Sequence, residues 1–334
     1  MKLKEIGEDR IIKELSREFS RRHRRLVKGI GDDTSVTLQA GGRHLLATTD
    51  ILIEGTHFKR GWTTPYLLGR KALSISLSDV AAMGGEPLFY LVSVALPPDT
   101  EKQFLDELYR GLSDCGKEHG AVLAGGNTAK TKGAVMVATT LFGEAPAQET
   151  VYRSGAGPGD VIYVTGCIGD AALGLRLLKK HGGAALKRTA FRKPVMRQLD
   201  PSPRMSVGRS LARKRLATAM IDVSDGLVLD LKRLCEAGAV GAVIDARRVP
   251  LSAEFKRLFP AAGTTDGIRR ALTGGEDYEL LFSAPEKAAK KISALSSRDV
   301  PVTPIGVITR SKDVCVTFTA GRPLKISRAG FEHF

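Results

Sequence analysis

The residues best suited to chemistry in this chain are acids set beside glycine or serine. Asp32-Asp33 follow Gly29-Ile30-Gly31, and Asp50 follows Thr48-Thr49. Asp79 closes Ser76-Leu77-Ser78-Asp79, and Asp222 and Asp225 fall within Ile221-Asp222-Val223-Ser224-Asp225-Gly226. Glu276 and Asp277 follow Gly274-Gly275. One Asp beside a Gly is ordinarily a turn or helix-cap residue. Five such groups, each adjoining an apolar segment, favour another use. Strand ends and tight turns are where α/β proteins hold ligands. Magnesium requires hard oxygen donors and keeps part of its shell for water or phosphate. Carboxylates converging from several segments fit a magnesium-phosphate enzyme.

Other routes to phosphate chemistry are missing. There is no Gly-x-x-x-x-Gly-Lys-Ser/Thr and no protein-kinase signature. Gly166-Cys167-Ile168-Gly169 hints at a dinucleotide loop, but a third glycine is wrongly spaced, so a glycine-permitted strand-to-helix turn is preferred. Cys115, Cys167, Cys235 and Cys315 are scattered without CxxC spacing, which reads as reduced thiols and neither a disulfide framework nor a zinc site. The net charge of +15 raises a nucleic-acid reading, with basic runs at 21–25, 187–197 and 209–215. Only Phe191 falls within those runs, and aromatics are only 6 % of the chain, so no base-stacking platform is apparent. A solvated basic surface that suits a polyanionic substrate is the better reading.

The elements that must carry these acids alternate between helix and strand periodicity. Helices are expected at 8–20, 65–83, 101–119, 170–180 and 204–215, and strands at 45–49, 88–96, 134–143, 161–165 and 218–221. Residues 145–159, rich in Gly, Ala and Pro, mark a boundary between units 1–145 and 146–334. The fold class is α/β with mixed sheets, in two domains. No apolar run is long enough to span a bilayer and residues 1–9 carry no secretory h-region, which points to the cytoplasm.

Longer stretches carry a resemblance. They are Gly29–Asp33, Thr48-Thr49-Asp50 with Glu54-Gly55-Thr56-His57-Phe58, the segment 71–84, Gly125-Gly126, the segment 153–160, Val164-Thr165-Gly166, the segment 221–227, the segment 273–281 and the closing Gly330-Phe331-Glu332-His333-Phe334. In this order they resemble the thiamine-monophosphate kinases, within the ATP-binding group that also holds aminoimidazole ribonucleotide synthetase and selenophosphate synthetase. No cysteine precedes residue 115, unlike a selenophosphate synthetase. The resemblance implies an N-terminal α/β domain that dimerises through its sheet, a C-terminal α/β domain and ATP in the cleft between them. It implies several magnesium ions on Asp33, Thr48, Thr49, Asp50, Asp79, Asn127, Asp222 and Asp225. Tyr109, Gly126, Asn127, Arg153 and Ser224 match ATP contacts, and His57, Glu276 and Phe331 match the thiamine phosphate site. Glu276 would pair with the amino group or with the positive charge of thiamine. The family often has Asp where this chain has Asn127, an oxygen donor without formal charge. The implied reaction is direct phosphoryl transfer from ATP, with no covalent or general-base residue expected. The alternatives are an enzyme of the same group acting on another phosphorylated acceptor, or a basic nucleic-acid-binding protein.

Overall fold

A computed structural model describes residues 2–259, 261–318 and 322–333, so Phe334 of the closing motif lies outside the described residues. Among the described residues there are two six-stranded sheets. The first comprises β1 (Leu26–Lys28), β2 (Ser35–Gln39), β3 (Arg43–Ile53), β4 (Glu86–Leu96), β5 (Val122–Lys130) and β6 (Met136–Pro146). Its order is β1-β2-β3-β6-β4-β5. All pairs are antiparallel except β4–β5, which is parallel. A parallel pair needs a crossover, which here is α3 (Lys102–His119); α1 (Glu8–Phe19) and α2 (Pro65–Ala82) precede it. The second sheet comprises β7 (Val161–Thr165), β8 (Ala219–Asp222), β9 (Gly241–Asp245), β10 (Leu280–Ala284), β11 (Val302–Thr309) and β12 (Val314–Thr317), in the order β12-β9-β11-β7-β10-β8. Its helices are α4 (Asp170–His181), α5 (Arg192–Leu199), α6 (Met205–Arg213), α7 (Leu227–Gly238), α8 (Ala253–Leu258), α9 (Thr265–Thr273) and α10 (Ala289–Ser293). No helix among the described residues is long and apolar enough to cross a membrane.

The expected strand at 45–49 runs from Arg43 to Ile53, because its alternation continues through Asp50. The strand β5 was not expected. Gly125-Gly126-Asn127 has no apolar period, and the segment is extended because it pairs with β4. At Gly126 a Cβ would overlap the Val92 carbonyl, so only glycine permits this approach.

The helix α2 is buried over most of its length, with Leu68, Leu73, Leu77 and Val80 at 1 % exposure or less. Thr64 starts it: its Oγ1 accepts the Leu67 N–H (3.2 Å), with Pro65 at the first helical position. One side meets β3 and β6, and another meets β8 and α6 of the second half. Close crossings demand glycine. A Cβ at Gly69 would overlap the Leu108 carbonyl of α3, and one at Gly111 would overlap the Tyr66 carbonyl of α2. On the other side Gly208 lies under the Ala81 carbonyl.

These crossings predict the cost of a single methyl group. Gly111→Ala gains about 1 kcal/mol of helix propensity. It meets backbone that cannot yield, so a net loss of about 1–3 kcal/mol is expected. Thermal unfolding should show a midpoint lowered by several degrees; an unchanged midpoint would mean that α2 and α3 can separate freely.

Candidate active site

Three carboxylates from three segments meet beside α2. Asp33, Asp79 and Asp222 each place an oxygen within 4.8 Å of the others'. Asp33 comes from the glycine-rich turn after β1, Asp79 from the last turn of α2, and Asp222 from the end of β8. An acid at a helix C-terminus faces the negative end of the dipole, so α2 offers Asp79 no help. Hydroxyls supply it instead. Thr48 donates to Asp79 (2.5 Å), Ser78 to Asp222 (2.6 Å) and Ser76 to Asp50 (2.6 Å). The Arg153 guanidinium donates to both oxygens of Asp33 (2.9 and 3.3 Å), and its backbone N–H donates to Asp32 (3.1 Å). Burial, then Asp50, Asp222 and Asp33, drive the Asp79 carboxyl well above the carboxylate range. Burial and then Asp33 do the same to Asp222, burial raises Asp50, and burial with Asp33 pushes Asp32 up to about 6. Buried Asp32 Oδ2 and Thr34 Oγ1 have no hydrogen-bond partner among the described residues. A group of hard oxygen donors, short of cations and with orphaned oxygens beside it, fits a divalent metal such as magnesium.

The cluster opens into a cleft of about 830 Å³ whose walls include Asp50, Asp79, Ser224 and Asp225, together with His57, Glu276 and Phe331. Local pairing explains the spacing of the motifs. The Glu276 N–H donates to the Ser224 carbonyl (2.6 Å) and the Tyr278 N–H to the Val223 carbonyl (2.8 Å). Both residues adopt positive φ, 69° at Glu276 and 49° at Tyr278. Backbone strain of this kind, held by its surroundings, gathers at functional sites. A Cβ at Gly275 would press on the Ser224 carbonyl, and one at Gly330 on the Asp225 carbonyl. The Phe331 N–H donates to the Asp225 carbonyl (2.9 Å), which tethers the closing motif beside the cleft. The Ile53 N–H donates to His57 Nδ1 (3.0 Å), which leaves Nε2 to carry the ring proton. Burial and then His333 lower the His57 pKa, so the ring is a neutral donor.

Not every expected residue reaches this cleft. Thr49 projects from the opposite face of β3 to Thr48 and bonds Thr140 (3.1 Å). Gly126 and Asn127 lie on the exposed edge strand β5, with Asn127 in register with exposed Ser93. Tyr109, on α3, packs against the core of the first half. Asp225 does reach the cleft, where it pairs with Arg233 (2.5 Å), which also binds Asp230 and Asp9. Two residues that hold Glu276 were not singled out from the sequence. Lys71, buried in α2, pairs with Glu276, and Gln198 donates to the other Glu276 oxygen. A lysine inside an apolar, small-residue helix was the available signal. The Gly166–Gly169 turn takes no outside anion: Asp277 accepts the Gly169 and Ala171 N–H groups (2.7 and 3.2 Å). Burial, opposed by those bonds, pushes Asp277 up to about 8.

Comparison with known proteins fits this geometry. The model of the AIR synthase related protein, N-terminal domain, matches residues 31–145, and that of the C-terminal domain matches 157–318. The thiamine-monophosphate kinase of Bacillus subtilis (strain 168) is 32 % identical over 93 % of this chain and 95 % of its own. That of Escherichia coli (strain K12) is 36 % identical over 92 % and 91 %. The solved structure of AaThiL complexed with AMPPCP and TMP superposes with a TM-score of 0.86 at 33 % identity, covering 100 % of this chain and 99 % of that one.

The crowded carboxylates predict a stability that depends on pH. A carboxyl whose folded pKa is raised contributes stability below its unfolded value, near 3.8, and loses it as pH rises through the folded value. Asp79→Asn removes that loss. In the presence of a chelator the variant should melt higher than wild type, and the gain should grow from pH 5 to pH 8. A gain that is flat or reversed with pH would contradict the raised Asp79 pKa.

Proposed function

The chain belongs to the thiamine-monophosphate kinase family of AIR synthase related proteins, and from that premise we propose that it transfers the γ-phosphoryl group of ATP to thiamine monophosphate, yielding thiamine diphosphate and ADP. The observation that carries the proposal is one cleft lined both by carboxylates of the acidic cluster and by His57, Glu276 and Phe331.

The acceptor phosphate is already anionic near neutral pH, with a second pKa of about 6. It needs no general base, so we assign none. The difficulty is the approach of two polyanions in line. Asp33, Thr48, Asp50, Asp79, Asp222 and Asp225 would hold magnesium ions, with Ser76 and Ser78 orienting Asp50 and Asp222. When bound, magnesium neutralises and aligns the phosphate oxygens. Arg153 adds a fixed cation for the nucleotide, and Ser224 a polar group on the cleft wall. On the acceptor side His57 offers an N–H, Glu276 a carboxylate and Phe331 an aromatic face. A cationic ring over that face would gain about 0.5–1 kcal/mol at an exposed site.

We further propose a homodimer. Strand β5 has no buried residue, and Ile51, Phe89, Leu91 and Leu123 are exposed on the first sheet. An exposed edge strand with an apolar patch is a surface that a partner covers. A second copy seated there would bring Tyr109, Gly126, Asn127 and Thr49 into use for the nucleotide and its metal. In this reading 1–145 binds ATP and dimerises, 146–334 completes the cleft, and the enzyme works in the cytoplasm, consistent with four free cysteines.

Incubation of the protein with ATP and thiamine monophosphate, with and without magnesium, should give thiamine diphosphate only with the metal. No product under either condition overturns the assignment. At Asn127 an uncharged oxygen should bind its metal weakly. Asn127→Asp is expected to lower the magnesium concentration for half-maximal turnover several-fold, and an unaltered magnesium curve would remove Asn127 from the metal shell.

A further inference from the structure

We infer that Lys71 is a positioning residue that makes the acceptor pocket read a hydrogen-bond donor on the acceptor rather than its positive charge. The inference rests on the phosphotransfer reading above and says which part of the acceptor Glu276 recognises.

Lys71 is 2 % exposed, with Leu68, Ala72, Ser74 and Ile75 of the same helix buried around it. A buried ammonium is stable only with a partner, and here that partner is Glu276. The Glu276 side chain keeps 24 % exposure, faces the cleft, and bonds Lys71 through one oxygen and Gln198 through the other. Its backbone is held in the left-handed region beside the Ser224 carbonyl, and its carboxylate is held from both sides by Lys71 and Gln198.

The arrangement has an electrostatic result. A cation entering the cleft is attracted by Glu276 and repelled by the ammonium bound to it, so the pair presents a dipole with no net charge. Lys59, Lys179 and Arg328 also line the cleft and oppose a cation further. The cleft acids Asp50, Asp79 and Asp225 belong, in the same reading, to the metal shell. A neutral N–H donor meets no such opposition. Each carboxylate oxygen accepts more than one hydrogen bond, so Glu276 keeps free lone pairs after binding Lys71 and Gln198. Thiamine monophosphate offers both features, an exocyclic amino group on the pyrimidine and a cationic thiazolium. The Lys71–Glu276 pair selects the first.

Two acceptor analogues separate the alternatives. One carries a hydrogen in place of the exocyclic amine, which leaves no donor there, and the other keeps the amine on a neutral ring in place of the thiazolium. With wild type, kcat/KM for the amine-free analogue should fall at least about tenfold, the scale of one lost hydrogen bond to a charged group. The neutral-ring analogue should lose less. In Lys71→Met the Glu276 charge is uncompensated, and the order should invert, with the neutral-ring analogue becoming the poorer one. Lys71→Arg restores a cation and should keep the wild-type order. If the neutral-ring analogue loses as much as the amine-free analogue in wild type, or more, the inference is overturned. It is also overturned if a folded Lys71→Met protein keeps the wild-type order. Should Lys71→Met fail to fold, as judged by its melting curve, the wild-type order decides alone. Turnover of thiamine monophosphate itself by wild type tests the phosphotransfer assignment separately, so the two failures are distinguishable.

Discussion

Like charges within 4.8 Å of one another repel by on the order of 3 kcal/mol per pair at an effective dielectric constant of about 20. The rest of the molecule accommodates that repulsion among Asp33, Asp79 and Asp222. Each acid is delivered by a different segment, and each is met by a donor from its surroundings: Arg153, Thr48 and Ser78. These donors are too few to neutralise the cluster. What keeps it folded is the apolar packing of α2, which the glycine crossings at Gly69, Gly111 and Gly208 allow to sit against α3 and α6. The site is therefore paid for at a distance, in the cores of both halves.

The acids of the Gly274-Gly275-Glu276-Asp277-Tyr278-Glu279 segment show how position sorts charges of one kind. Glu279 is buried with Arg197, Arg204 and Thr165 around it, and those partners hold its carboxyl below the usual range against the cost of burial. Asp277 caps the start of α4. Glu276, at positive φ, keeps partial exposure in the cleft. Two acids are spent on structure and one is left for a ligand, although neighbouring letters in the sequence give no hint of the division.

Much of this was legible from the residues. The acids beside glycine predicted convergence of carboxylates, and Asp33, Asp79 and Asp222 do converge. Helix 101–119 was readable from its amphipathic period and helix 65–83 from its run of apolar and small residues, and they appear as Lys102–His119 and Pro65–Ala82. Strand β5 was not, since pairing with β4 overrides its lack of pattern. Spacing also could not tell Thr48 from Thr49. Adjacent strand residues point to opposite faces, so Thr48 reaches Asp79 and Thr49 reaches Thr140. The pairing of Lys71 with Glu276 spans 205 positions, and no local rule connects them.

The burial of α2 against both sheets also bears on how reactants come and go. Ser78 of α2 bonds Asp222 of the second sheet while Ser76 bonds Asp50 of the first. Swinging the two halves apart would break the Ser78–Asp222 tether and uncover the side of the helix that meets β8 and α6, which disfavours a wide hinge opening. The surface pieces that line the cleft are smaller, such as the segment bearing His57 and the tail bearing Phe331. Loops of that size move in nanoseconds to microseconds, against microseconds to milliseconds for whole domains. A reactant meets a framework already set for it, and little ordering entropy is lost when it arrives.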